Sequence, residues 1–290
     1  MKIQTFTIVV GTSACNASCP YCISKMTPKQ GIDFKLRPVN WLNFDKACRL
    51  SQVNNVSTVL LTGKGEPLLY PDQITEFLRN MKKFDFPIIE IQTNGLVFGS
   101  DWKKYEPYLK EWRDLGLNTI AISVVHYEKE KNKTIYTPKG EYIDLEKVIE
   151  KLHGLGYSIR LSCIMLKSYI DSVEKVKKFI EKVKEWNVEQ LTIRGVNVPN
   201  KSENKQVYGW TIQRIVSKGQ ILDISDFLNK EGNKLMTLDH GGIVYDYLGQ
   251  NVCMSDCLTI KPNTEDLRQL IFFPDGHLRY DWQYKGAILL

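Results

Sequence analysis

Six short strand-like runs, each separated from the next by a run with helical spacing, constrain this chain more than any other feature. The runs occupy residues 6–11, 58–62, 88–93, 119–124, 158–165 and 190–196. Each is rich in Val, Ile, Leu or Thr, and most are apolar on both faces, as strands of a covered parallel sheet must be. Between them, apolar residues recur at spacings of three and four. Ile74, Phe77, Leu78 and Met81 form one stripe, and Trp102, Tyr105, Leu109 and Trp112 a second. Leu145, Val148, Ile149 and Leu152 form a third, and Val173, Val176, Phe179, Ile180 and Val183 a fourth. A weaker helix is read at 43–53. Gly116 closes the second stripe, and Gly154 and Gly156 close the third. Such alternation predicts an α/β fold with a parallel sheet and right-handed crossovers. Six units make a partial (β/α)6 barrel, short of the eight that close a full one. Functional loops then gather at the carboxyl ends of the strands.

The rhythm changes after Pro199. Residues 1–199 are read as the barrel core and 200–290 as a small appended C-terminal region that caps the substrate or carries an auxiliary site. Within it lie Gly241-Gly242, Cys253, Cys257, a hairpin at Pro274-Asp275-Gly276 and one helix near 224–229. Hydrophobic residues make up 43% and charged residues 25%, as in a soluble globular protein. No apolar run approaches the roughly 20 residues of a membrane span. The first ten residues alternate like a strand and lack the apolar block of a secretory signal, so a cytoplasmic setting is expected. A net charge of +6 would suit phosphorylated or nucleic-acid partners. The lysines, however, interleave with glutamates, as in residues 147–151, which marks solvated helix faces and argues against nucleic acid.

The seven cysteines are unevenly placed. Clustered cysteines without a secretion signal point to metal or redox chemistry before disulfides. Cys15, Cys19 and Cys22 form a CxxxCxxC pattern directly after the first strand. Three thiolates on one loop can hold three irons of a cubane cluster and leave the fourth without a protein ligand, although the same soft ligands suit zinc. A structural zinc takes four protein ligands, and no fourth His or Cys lies nearby in sequence. Spacing alone leaves both metals open. Cys48 and Cys163, standing alone, are read as buried small apolar residues.

Other strand ends narrow the choice. Thr62-Gly63-Lys64-Gly65-Glu66-Pro67 follows the second strand, Gln92-Thr93-Asn94-Gly95 the third, and Arg194 ends the sixth. With an aromatic residue, Tyr21, before the third cysteine, this ordered set resembles the radical S-adenosylmethionine superfamily over roughly residues 1–200. The resemblance implies a 4Fe–4S cluster on Cys15, Cys19 and Cys22, and S-adenosylmethionine chelated at the open iron. Reductive cleavage would then yield methionine and a 5′-deoxyadenosyl radical. It places Gly63, Gly65 and Glu66 at the methionine ammonium and Tyr21 near the adenine. Thr93, Asn94, Ser123 and Ser162 fall among the ribose and carboxylate contacts, and Arg194 suits the carboxylate. Lys64 stands where the family often has Gly and receives no role. His126, after the fourth strand, is expected at the pocket mouth as a solvated loop residue, with proton transfer or phosphate binding as the competing role.

Cys253, Cys257 and the following hairpin resemble the auxiliary-cluster domain of some family members, but no third cysteine follows the hairpin. A second cluster or metal would need His240, Asp256, His277 or Asp281, and a remnant without a cluster is the favoured reading. Tyr245, Tyr247, Tyr280, Trp282 and Tyr284 are read as core before recognition surface. The function that fits is hydrogen abstraction from a small polar metabolite, nucleotide- or sugar-like, with an electron donor such as flavodoxin or ferredoxin. Nothing ahead of the first strand reads as a peptide-recognition domain, which favours a small substrate. Radical modification of a peptide or protein is the alternative, and a zinc-stabilised nucleic-acid-binding module is the alternative from another class.

Overall fold

A computed structural model describes residues 3–238, 241–255 and 267–290. Six strands follow in chain order: β1 (Ile3–Val9), β2 (Thr58–Thr62), β3 (Ile88–Thr93), β4 (Thr119–Val124), β5 (Ser158–Met165) and β6 (Gln190–Gly195). They pair in parallel, each with its sequence neighbour. A strand order that never reverses, joined by right-handed crossovers, puts every connecting helix on the same face of the sheet. That is the arrangement of a barrel wall, and here the sheet is not closed.

The expected helices are present at Trp41–Val53, Pro71–Met81, Trp102–Asp114, Leu145–Gly154 and Val173–Glu185. Asp144 and Ser172 accept backbone N–H bonds at the last two N-termini, which sets where those helices begin. Their apolar stripes meet the sheet through residues such as Phe77, Trp112, Ile149 and Phe179, all buried against Ile91, Ile122, Leu161 and Ile193. Burying each such side chain is worth about 1.5–3 kcal/mol, so these stripes, more than helix propensity, fix the helices in place.

The C-terminal segment extends the same sheet at both edges. β7 (Asn233–Thr237), β8 (Ile243–Tyr247) and β9 (Gln250–Met254) form an antiparallel meander whose last strand runs parallel to β6. At the opposite edge, β10 (Leu267–Phe272) runs parallel to β1, and β11 (Leu278–Arg279) turns back along it through the expected Pro-Asp-Gly hairpin. The sheet thus has the order β11-β10-β1-β2-β3-β4-β5-β6-β9-β8-β7. The helix expected near 224–229 spans Lys218–Glu231, opened by a Ser217/Gln220 capping box. Helices at Lys129–Tyr136 and Lys205–Ile212 have no counterpart in the sequence reading. Among the described residues, no helix is long and apolar enough to cross a membrane.

Candidate active site at the carboxyl ends of the strands

The cluster loop leaves β1 and is held by its neighbours as well as by its own turns. Its Ser18 N–H donates to Tyr136 O at 2.8 Å, and Ala14 O accepts Glu66 N–H at 2.9 Å. The second bond requires glycine at position 65, where a Cβ would lie 1.9 Å from Ala14 O. Gly63 is similarly close to Val10 O, at 3.1 Å. These two glycines therefore press the loop after β2 against the loop after β1.

Cys15, Cys19 and Cys22 are unpaired thiols on this loop. Burial pushes the Cys15 and Cys19 thiols up, and the charges of Cys22 and Cys15 push Cys19 further, so the three sulfurs sense one another. Two amides point at Cys15 Sγ: Ala17 N–H at 3.4 Å and Asn94 Nδ2 at 3.7 Å. Among the described residues, no three His, Cys, Asp or Glu side chains enclose a point as tightly as a single ion needs. A cubane spreads its thiolates over separate irons and does not ask for that. The donor set, three thiols on a loop outside the strands with N–H groups aimed at Cys15, fits such a cluster.

Glu66 joins the second and third loops. Its Oε1 accepts the Thr93 hydroxyl at 2.5 Å and Leu68 N–H at 3.1 Å, and its Oε2 accepts Asn94 N–H at 2.9 Å. The residue is fully buried, and burial pushes its carboxyl up to about 7 against the pull of those donors. Asn94 carries the link onward, with Nδ2 donating to Asn16 Oδ1 at 2.7 Å and Oδ1 accepting Leu96 N–H at 2.9 Å. The turn that allows this passes through Gly95 at φ 71°. Thr93, Asn94 and Glu66 therefore form one network behind the cluster loop, with both carboxylate oxygens engaged by protein donors. The Tyr21 hydroxyl donates to Tyr136 Oη at 3.3 Å, fixing its ring against the helix that also holds Ser18.

The inner face of the sheet is polar, which departs from the expectation of strands apolar on both sides. Side chains alternate along a strand. The register sets Ser123, Ser162, Thr192 and Cys253 side by side across β4, β5, β6 and β9. One step toward the amino ends, Gln92, Ala121, Arg160, Gln190 and Asn251 form the next row. Ordinary barrels fill these layers with Val, Ile and Leu. Here Arg160 pairs with Glu90, and Gln190 Nε2 donates to Asn251 Oδ1 at 3.0 Å. A cavity of about 320 Å³ among Glu90, Arg160, Gln190 and Asn251 opens at the amino ends of these strands, the opposite end from the cluster loop. Among the described residues, the Thr192 hydroxyl and the Nε atoms of Arg160 and Arg194 are buried without a partner. An open sheet can keep such a face because it encloses a chamber rather than a packed core.

Among the other expected residues, Cys48 and Cys163 are fully buried, as their isolation suggested. His126 is buried rather than solvated: its Nδ1 accepts Glu128 N–H at 3.0 Å, and burial lowers its basicity. Asn132, which no spacing marked, shapes that loop by bonding Val125 N, His126 N and His126 O. Tyr245 and Tyr247 are core, whereas Tyr280 and Tyr284 are exposed. Cys253 is buried, and Cys257, Asp256 and His240 lie outside the described residues.

Lys64 is the least expected member of the site. It is 7% exposed, its Nζ donates to Thr27 Oγ1 at 2.6 Å, and it lies 5.4 Å from the centroid of the Trp282 ring. Burial pulls its ammonium down to about 8, opposed by the nearby Cys22.

The profile of the Radical SAM superfamily matches residues 9–180. A GTP 3',8-cyclase of Aquifex aeolicus is 23% identical over 247 residues, which cover 77% of this chain and 70% of the relative. The FeMo cofactor biosynthesis protein NifB of Chlorobaculum tepidum is 26% identical over 190 residues, covering 63% of this chain and 40% of the relative. Among solved structures, Streptococcus suis SuiB bound to precursor peptide SuiA superposes with a TM-score of 0.60 at 13% identity. That match covers 96% of this chain and 59% of SuiB, so the chain spans less than two thirds of its neighbour's length. Methylornithine synthase superposes at 0.54 with 14% identity, covering 79% of this chain and 63% of that one. At these identities, the structures speak for the fold.

Proposed function

The chain belongs to the radical SAM superfamily, and from that premise we propose that it abstracts a hydrogen atom from a small polar metabolite, nucleotide- or sugar-like. Membership makes it an iron–sulfur enzyme that uses a 4Fe–4S cluster and S-adenosylmethionine. When bound, these groups supply the electron and the sulfonium whose reductive cleavage releases methionine and a 5′-deoxyadenosyl radical.

The protein's part is to hold and to exclude. Cys15, Cys19 and Cys22 take the three ligand positions, and the Asn94 and Ala17 amides steady Cys15. Gly63 and Gly65 bring backbone groups to the methionine end, with Glu66 fixing the loop from behind. Tyr21 borders the adenine, and Thr93, Ser123, Ser162 and Arg194 serve the ribose and carboxylate. The observation that supports a small polar substrate is the inner face itself. Its rows of hydroxyl, amide and guanidinium groups include buried donors with no protein partner. Such groups are costly unless a ligand or water meets them. Residues 200–290 supply the walls that cap this chamber.

The external reductant is a flavodoxin or ferredoxin, and the setting is the cytoplasm, where thiols stay reduced. The test is anaerobic reconstitution followed by reduction in the presence of S-adenosylmethionine. 5′-Deoxyadenosine should form, and deuterium from the true substrate should appear in it. Failure to form it with any reductant would overturn the reading. Deuterium transfer from a peptide alone would favour the peptide-modifying alternative.

A further inference from the structure

Lys64 is a buried cation without a counter-charge. Among the described residues, its polar partners are one neutral hydroxyl, Thr27 Oγ1, and the face of Trp282, and no carboxylate forms an ion pair with it. The Thr27 hydroxyl is already committed as a donor to Ile23 O at 3.0 Å, so it can only accept from the ammonium. An ammonium has three donors, and burying one unpaired is among the more expensive arrangements a protein can hold. The buried positions of natural lysines are therefore paired, or face something anionic that the chain binds.

Among the described residues, the group that offsets the burial of Lys64 is Cys22, on the segment that its Thr27 partner follows. Ile23 adjoins that cysteine, and through Thr27 the lysine is linked to Ile23 O. Its side chain thus leaves the loop after β2 and lies behind the cluster loop, between the segment following Cys22 and the C-terminal hairpin that carries Trp282. A cubane held by three thiolates is net negative, and more so once reduced.

We infer that the cluster is the missing counter-charge of Lys64, and that this ammonium stabilises the reduced cluster, raising its reduction potential. The inference rests on the cluster reading above and adds to it a residue given no role there. Lys64 is a positioning and tuning residue: the electron still comes from the external donor and passes to the cluster, and the lysine keeps its proton. Trp282 and Thr27 shield the charge from water, which keeps its effect on the cluster strong.

The test compares Lys64→Met and Lys64→Arg with the unmodified chain, each reconstituted anaerobically and titrated by electron paramagnetic resonance. Lys64→Met should lower the reduced fraction at a fixed potential about tenfold, equivalent to about 59 mV for one electron, and Lys64→Arg should largely restore it. The cluster-free chains give a second readout of opposite sign. Without its counter-charge, Lys64 is a burden, so cluster-free Lys64→Met should melt no lower than the cluster-free parent. Poor cluster retention by Lys64→Met, with an unchanged cluster-free melting temperature, would also support the inference. An unchanged potential would overturn it. So would a cluster-free Lys64→Met that melts well below the parent, since Lys64 would then be a structural pin between Thr27 and Trp282. A parent chain that takes up no cluster would sink the function proposed above, and this inference with it.

Discussion

The loops above β1, β2 and β3 and the inner face of β4, β5 and β6 both bring polar side chains to the site, yet their hydrogen bonding is opposite. On the first side, Glu66, Thr93, Asn94 and Asn16 satisfy one another within a single network. On the second side, the Thr192 hydroxyl and the Nε atoms of Arg160 and Arg194 are buried and unmatched among the described residues. Buried polar groups are ordinarily paired, so the two sides are built for different tasks. The first holds three loops in register beneath the cofactors. On the function proposed above, the second keeps donors available for the substrate.

The largest effect should come from breaking the holding side at its ligands. Cys19→Ala is expected to abolish both the brown colour of the reconstituted protein and 5′-deoxyadenosine formation, while far-ultraviolet circular dichroism stays native. Retention of the cluster would remove this loop from the chemistry. Glu66 tests the network beneath. Burial pushes its carboxyl from the ordinary 4.5 up to about 7 in the folded chain. The cluster-free fold therefore binds its proton more tightly than the unfolded chain does. Stability associated with this group is complete below the unfolded value and is lost as the pH rises through about 7. A shift of this size corresponds to about 3 kcal/mol at 1.36 kcal/mol per pH unit. Urea unfolding of the cluster-free chain should show that decline between pH 4.5 and 7.5, and Glu66→Gln should flatten it.

The same comparison explains what could be read in the sequence. β2, β3, β4 and β5 were legible to the residue because each is a short β-rich run between a helix end and a functional loop. The cysteine loop and the Gly63–Glu66 loop were legible because their chemistry is local. Of the C-terminal strands, only the hairpin of β10 and β11 was. Asp246, Gln250 and Asn251 interrupt the apolar pattern of β8 and β9, and the pairing of β10 with β1 joins residues at opposite ends of the chain. Lys64 escaped for a related reason, since its burial depends on Thr27 and Trp282, which no window of sequence contains together. The receiving side was hidden by register. Ser162, Thr192 and Cys253 become a row only once β5, β6 and β9 are aligned.

Smaller effects should divide the two sides most clearly, and one pair of threonines does so with the same chemical change. The Thr93 hydroxyl donates to Glu66 and accepts from Gly95 N–H at 2.9 Å, so Thr93→Val strands the Gly95 amide and leaves Glu66 Oε1 with Leu68 N–H alone in a dry site. Each unmet group costs about 1–3 kcal/mol, and the unfolding midpoint of the cluster-free chain should fall accordingly. Thr192 is buried too, but its hydroxyl has no partner among the described residues. Thr192→Val removes a polar atom that nothing in the fold uses, and such replacements are nearly neutral or stabilising. Its cluster-free stability should stay within about 0.5 kcal/mol of the parent, the range of a substitution that disturbs no contact. The loss should appear instead in KM for the substrate once that is identified. Equal destabilisation by the two substitutions would mean that Thr192 is held by the fold after all, and that the chamber face is structural like the loops opposite it.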